Sequence, residues 1–170
     1  MSRKIDNRFV IPGLFFALLL SFASSSASAE ELVMGTIPSD VPGTNEILDG
    51  DYKAGIQLSE RYVNASHSLR KLAARTNLCV AYTALKQYDD AAKWCDSAME
   101  VGRRAWVTKN NRAVLAYMVG DYNASQQLLS EAREAGGGKL SAMNRNIHVV
   151  KIAVARLDKE QKFEPVASVN

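Results

Sequence analysis

Apolar and small residues recur along this chain at helical spacing, not at the alternation of strands. Leu78, Ala81, Tyr82 and Leu85 fall at i, i+3, i+4 and i+7, one face of a helix. Ala91, Trp94, Cys95, Ala98 and Met99 repeat the pattern on the next segment. Leu140, Met143, Ile147, Val150, Val154 and Leu157 then advance by threes and fours, with Arg145, Asn146, Lys151 and Arg156 on the other side. The pattern predicts an all-α protein with helices at about 52–62, 66–86, 89–101, 104–119 and 122–135, and a final amphipathic one at 140–158. A further helical turn is expected at 44–48. Gly136-Gly137-Gly138 breaks the chain before the final helix. Segment 30–43, with Pro38, Pro42 and two glycines, reads as a linker, and 160–170 as a flexible tail.

Segment 1–29 follows a different pattern. Arg3, Lys4 and Arg8 precede an apolar run from Phe9 to Phe22, and Ala27-Ser28-Ala29 makes a small-x-small site before Glu30. That is the three-part layout of a secretory signal peptide, cleaved after Ala29. The apolar run holds Pro12-Gly13 and falls short of the roughly 20 residues a membrane span needs. Cleavage would place the product in the periplasm or outside the cell. An uncleaved anchor, tethering a subunit of an envelope assembly, is the alternative.

Removal of the leader changes the charge. The full chain has 21 Lys+Arg and 18 Asp+Glu, and Arg3, Lys4, Arg8 and Asp6 leave with the leader, so 18 and 17 remain. A nearly neutral product argues against a nucleic-acid partner, which calls for a concentrated basic face. No later stretch is long and apolar enough to span a membrane.

The segments between 45 and 136 are related at a fixed period. Asn77 and Asn111, Val80 and Val114, Tyr88 and Tyr122, Ala98 and Ala132 all pair at one and the same offset. Gly50-Asp51-Tyr52-Lys53-Ala54 echoes Gly120-Asp121-Tyr122-Asn123-Ala124. Small residues at Cys79, Ala91, Ala98, Ala113, Ser125 and Ala132 would let paired helices approach closely. These features resemble the tetratricopeptide repeat, a 34-residue helix-turn-helix unit with small residues at the crossing and a tyrosine at the turn. Full units at about 72–105 and 106–139 and a partial one at 44–64 fit. The departures are Arg75 where tryptophan is usual, Arg112 where leucine is usual, and no closing proline. The resemblance implies antiparallel hairpins stacked as a short solenoid over 44–159, with 140–158 as a capping helix.

It also implies a concave groove, lined by the first helix of each unit, that binds a protein or peptide partner. By resemblance, Ala73, Thr76, Asn77, Val80, Thr83 and Ala84 line it in one unit. Val107, Asn110, Asn111, Val114, Tyr117 and Met118 line it in the next. Asn77 and Asn111 stand out: a carboxamide both donates and accepts, so it can satisfy an extended peptide backbone without reading side chains. Bonding to a neighbouring helix carbonyl or turn is the other use of such asparagines, and packing against the final helix the other use of Tyr117 and Met118. A cationic clamp for C-terminal carboxylates is not expected, because Ala73, Thr76 and Val80 occupy that face.

Cys79 and Cys95 fall on the inward faces of one hairpin. Counted about the turn they are displaced by roughly one helical turn, borderline for a disulfide, whose Cα atoms must lie within about 7 Å. Two small buried thiols are the favoured reading, one disulfide the alternative. No metal motif, nucleophile elbow or glycine-rich phosphate loop is present, and His67 and His148 read as surface or packing residues. No cofactor and no catalysis are expected. The expected function is an exported, non-catalytic scaffold; the alternative is a structural or self-associating module, a homo-oligomer, whose groove is closed by the final helix or by a second copy.

Overall fold

A computed structural model describes residues 32–102, 105–136 and 141–163. The expected signal peptide, and the tail beyond Phe163, lie outside them. Among the described residues the chain is all-helical, with neighbouring helices packed on one another. The helices are α1 (Thr44–Leu48), α2 (Tyr52–Ser59), α3 (Ser68–Ala84), α4 (Tyr88–Val101), α5 (Trp106–Met118), α6 (Tyr122–Glu134) and α7 (Ser141–Phe163). A 3-10 turn, Glu60–Tyr62, extends α2. The final helix therefore runs past its expected end at 158. No described helix is long and apolar enough to cross a membrane.

The helices pair through short turns of one construction. In α3–α4 the Lys86 N–H donates to the Thr83 carbonyl at 3.0 Å and the Gln87 N–H to the Tyr82 carbonyl at 2.9 Å. Gly120 and Asp121 repeat these bonds to Tyr117 and Ala116, and Gly50 and Asp51 to Ile47 and Glu46. This double bond, a Schellman motif, satisfies carbonyls left free at a helix end and demands a left-handed residue after the cap. Gly50 (φ 85°) and Gly120 (φ 87°) supply it without steric cost; Lys86 (φ 60°) supplies it with a side chain. The next helix is then capped by Asp51, whose carboxylate accepts from Ala54 N–H at 3.1 Å, and by Asp121, which accepts from Ala124 N–H at 3.0 Å.

Small residues set the helix spacing. Gly55, Ala91 and Ser125 are the buried equivalents three residues past each turn tyrosine. A Cβ on Gly55 would lie 2.4 Å from Ile47 Cγ1, so only glycine allows α1 and α2 to pack as they do. Ser125 buries a hydroxyl, and donates it to the Ala113 carbonyl at 2.8 Å. Arg75, at the place where the repeat family has tryptophan, donates to the Val63 carbonyl at 3.1 Å and the Ser97 carbonyl at 3.2 Å, bridging three segments.

Cys79 and Cys95 are joined by a disulfide with Cα atoms 4.7 Å apart, which corrects the preference for free thiols. The two positions are not a helical turn out of step. Cys79 is six residues before Leu85 and Cys95 seven after Tyr88, so at a rise of about 1.5 Å per residue they stand almost level.

The segment expected as a linker is the largest departure. Residues 32–37 are an extended strap along α7, α5 and α3, and its side chains join three separate packed clusters. Leu32 packs with Ala113, Leu129 and Met143; Met34 with Cys79, Cys95 and Leu115; Ile37 with Ala73, Ala74 and Val107. The strap thus adds its own packing to helix pairs that already touch one another.

Candidate functional site

The strap lies on a floor of asparagines. Asn111 accepts from Gly35 N–H at 2.9 Å and donates to the Gly35 carbonyl at 2.7 Å. Asn146 does the same for Val33, accepting at 2.8 Å and donating to its carbonyl at 2.8 Å. Asn110 donates to the same Val33 carbonyl at 2.9 Å and accepts from Asn146 at 2.7 Å, locking neighbouring rungs together. These three side chains are buried, while the strap atoms they bond are half-buried. The rungs take strap residues two apart, the period of an extended chain, and contact only main-chain atoms. Gly35 fits closely where it stands: a Cβ there would lie 3.0 Å from Val107 Cγ2, which would have to give by a few tenths of an ångström.

Asn77, the expected partner of Asn111, is not a third rung. Its amide donates to Thr44 Oγ1 at 3.0 Å and Ser59 Oγ at 3.2 Å, tying α3 to the start of α1 and the end of α2. Its carbonyl oxygen is buried without a hydrogen-bond partner among the described residues. Beyond the strap, loop 38–43 leads to Thr44, whose hydroxyl Asn77 meets. That loop is held to α3 by an exposed ion pair between Asp40 and Arg70; the Arg70 guanidinium keeps the Asp40 carboxyl below its ordinary range.

Asn146, expected on a solvated helix face, is fully buried. The signal for it was present and off by one. The repeat period carries Asn111 onto Arg145, and the glycine-rich connection between α6 and α7 adds a residue that moves the equivalent position to Asn146.

The remaining expected groove residues separate into two groups. Ala73, Thr76 and Val107 are buried, and Ala73 and Val107 pack with Ile37. Val80, Thr83, Ala84, Val114, Tyr117 and Met118 line an open groove of about 880 Å³ that runs beside the strap. Met118 is 42% exposed and Leu48, on the far wall, 67%. Among the described residues, Lys86 and Arg145 are the charged ones on its lining, which holds no carboxylate. His67 and His148 are exposed and lie away from it.

Among the described residues the fold and this site define an all-helical protein in which three buried asparagines hold an extended segment of its own chain. No protein-family model matches the sequence, and no curated protein is significantly similar to it.

Proposed function

We propose that this chain is an exported, non-catalytic scaffold of the tetratricopeptide-repeat type that binds a protein partner through the groove formed by α3, α5 and α7. In this reading α1–α2, α3–α4 and α5–α6 are successive units of a short solenoid, and α7 covers its end. The observation that carries the reading is the set of paired bonds from Asn110, Asn111 and Asn146 to the strap backbone. A groove built that way holds extended chain whatever its side chains, and the stretch lined by Val80, Val114, Tyr117 and Met118 stays open beside it. Exposed apolar surface rimmed by polar groups is the usual mark of an interaction site.

The test is a photo-crosslinking residue placed at Met118 in the exporting cell, compared with one at Gln126 on α6. A partner captured at 118, absent at 126 and lost on Val80→Glu supports the reading. Equal adducts at both positions, or none at 118, overturn it. The strap itself favours a second reading, a closed structural module, since it already occupies the asparagine floor. That reading expects no partner at 118 and no cellular consequence of Met118→Glu.

A further inference from the structure

We propose that the strap is one strand of an unfinished ribbon, and that the partner completes it with an acidic, extended segment added along the strap's free edge. This rests on the groove reading and names the chemistry of its occupant. In an extended chain the N–H and C=O groups of alternate residues point to opposite edges. Val33 and Gly35 place theirs on the asparagines. Those of Met34 and Thr36 therefore face the other way, and they make no hydrogen bond to any described residue. Such an edge is a template for strand addition.

The space beside it suits that role. The groove of about 880 Å³ is bounded along its length by strap residues 32–36 and across from them by Val80, Val114, Tyr117 and Met118. At about 3.3 Å per residue the strap edge is some 16 Å long, so the added segment is roughly five residues. Alternate apolar side chains of that segment would meet the valines, Tyr117 and Met118.

Charge sets the sign of the partner. Lys86 and Arg145 stand on the rim, and among the described residues no carboxylate lines the groove and neither cation forms an ion pair. The backbone at Lys86 points the same way. Lys86 occupies the left-handed turn position that Gly50 and Gly120 fill in the sister turns, so a cation is kept where glycine would relieve the backbone. A lysine held at that conformational cost points to a use for its charge.

The experiment probes the full mature protein with arrayed, end-blocked octapeptides that have valine at alternate positions and glutamate, lysine or serine between them. Glutamate peptides should be captured at least tenfold better than the lysine and serine sets. Lys86→Gly, which relaxes its turn and so leaves the fold secure, should reduce that capture severalfold. N-methylation of every second amide in a bound peptide should abolish capture in one phase and spare it in the other, since only one edge pairs with the strap. Capture indifferent to charge, capture equally sensitive to both methylation phases, or no capture overturns strand addition. If crosslinking at Met118 survives in that case, the groove reading stands without it; if both fail, both fall.

Discussion

The hairpins α3–α4 and α5–α6 have one plan, and three of their differences change what the hairpin does. Where α3–α4 has the bonded pair Cys79 and Cys95, α5–α6 has Ala113 and Leu129 in the same packed cluster. Asn77 is turned inward onto Thr44 and Ser59, whereas Asn111 grips the strap. Lys86-Gln87 makes a strained, uncapped turn where Gly120-Asp121 makes a relaxed, capped one. The period specifies a hairpin. Departures from it specify a covalently stapled unit with a cation on the groove beside a conventional unit that holds the peptide.

The staple gives the largest expected effect. The disulfide closes a separation of 16 residues, for which loop-closure entropy gives about 3 kcal/mol. Cys79→Ala with Cys95→Ala should lower unfolding stability by that amount in urea titration, and reductant should have the same effect on the parent protein. Replacing the pair with the sister unit's own residues, Cys79→Ala with Cys95→Leu, should recover about 1 kcal/mol or more through the apolar area regained. If the transplanted pair is no better than two alanines, the two hairpins do not pack equivalently.

The asparagines come next. Asn111→Ala leaves the N–H and C=O of Gly35 without partners and should cost about 2 kcal/mol, with faster amide exchange at Gly35. Asn77→Ala removes two donated bonds but also an oxygen already buried without a partner, so its cost should be nearer to about 1 kcal/mol and Gly35 exchange should not change. Equal losses in the two variants would break the distinction between rung and tie.

The helices, their order and the tyrosine turns were legible because each rests on local spacing that burial enforces. Val80, Thr83, Val114, Tyr117 and Met118, expected on a groove by resemblance, lie on the lining of the open groove. Three things were not legible. The strap lacks any period of its own, and its docking depends on Asn110, Asn111 and Asn146, between 76 and 113 residues away in the chain. Asn146 was hidden by a single inserted residue. Asn77 shares the spacing of Asn111, and its bonds to Thr44 and Ser59 come from tertiary packing that the spacing does not carry.

The first of the two turns should respond in the opposite direction. Lys86→Gly removes a side chain from a left-handed position and should raise stability by about 0.5–1 kcal/mol, less than the strain relieved because glycine also frees the unfolded chain. Gln87→Asp adds the missing cap and should gain about 0.5 kcal/mol, less than a cap usually contributes because Asp89 and Asp90 are near. Asp121→Ala should lose about 1 kcal/mol. Thermal melts of the three variants would show whether the first turn can be converted into the second without affecting the strap.

The smallest contrast lies at one more equivalent pair, and pH separates its members. Arg75 reaches the carbonyl of Ser97; one period on, Lys109 reaches the carboxylate of Glu131. The Lys109 ammonium, and then the Gln127 amide, hold the Glu131 carboxyl below its ordinary value of 4.5. A depressed carboxyl contributes stability that is complete above the unfolded value, about pH 4.5, and is lost as the pH falls through the lower folded value. Glu131 is partly exposed and screened, so the contribution should be below about 1 kcal/mol at neutral pH. Lys109→Met should therefore destabilise slightly at about pH 7 and less at an acid pH, where the lowered folded value is passed. Arg75→Met removes bonds to two carbonyls that do not titrate, so its cost should be the same at both pH values. A pH-dependent Arg75 variant, or a pH-independent Lys109 variant, would show that the two hairpins are not held at this point by the different chemistries their sequences supply.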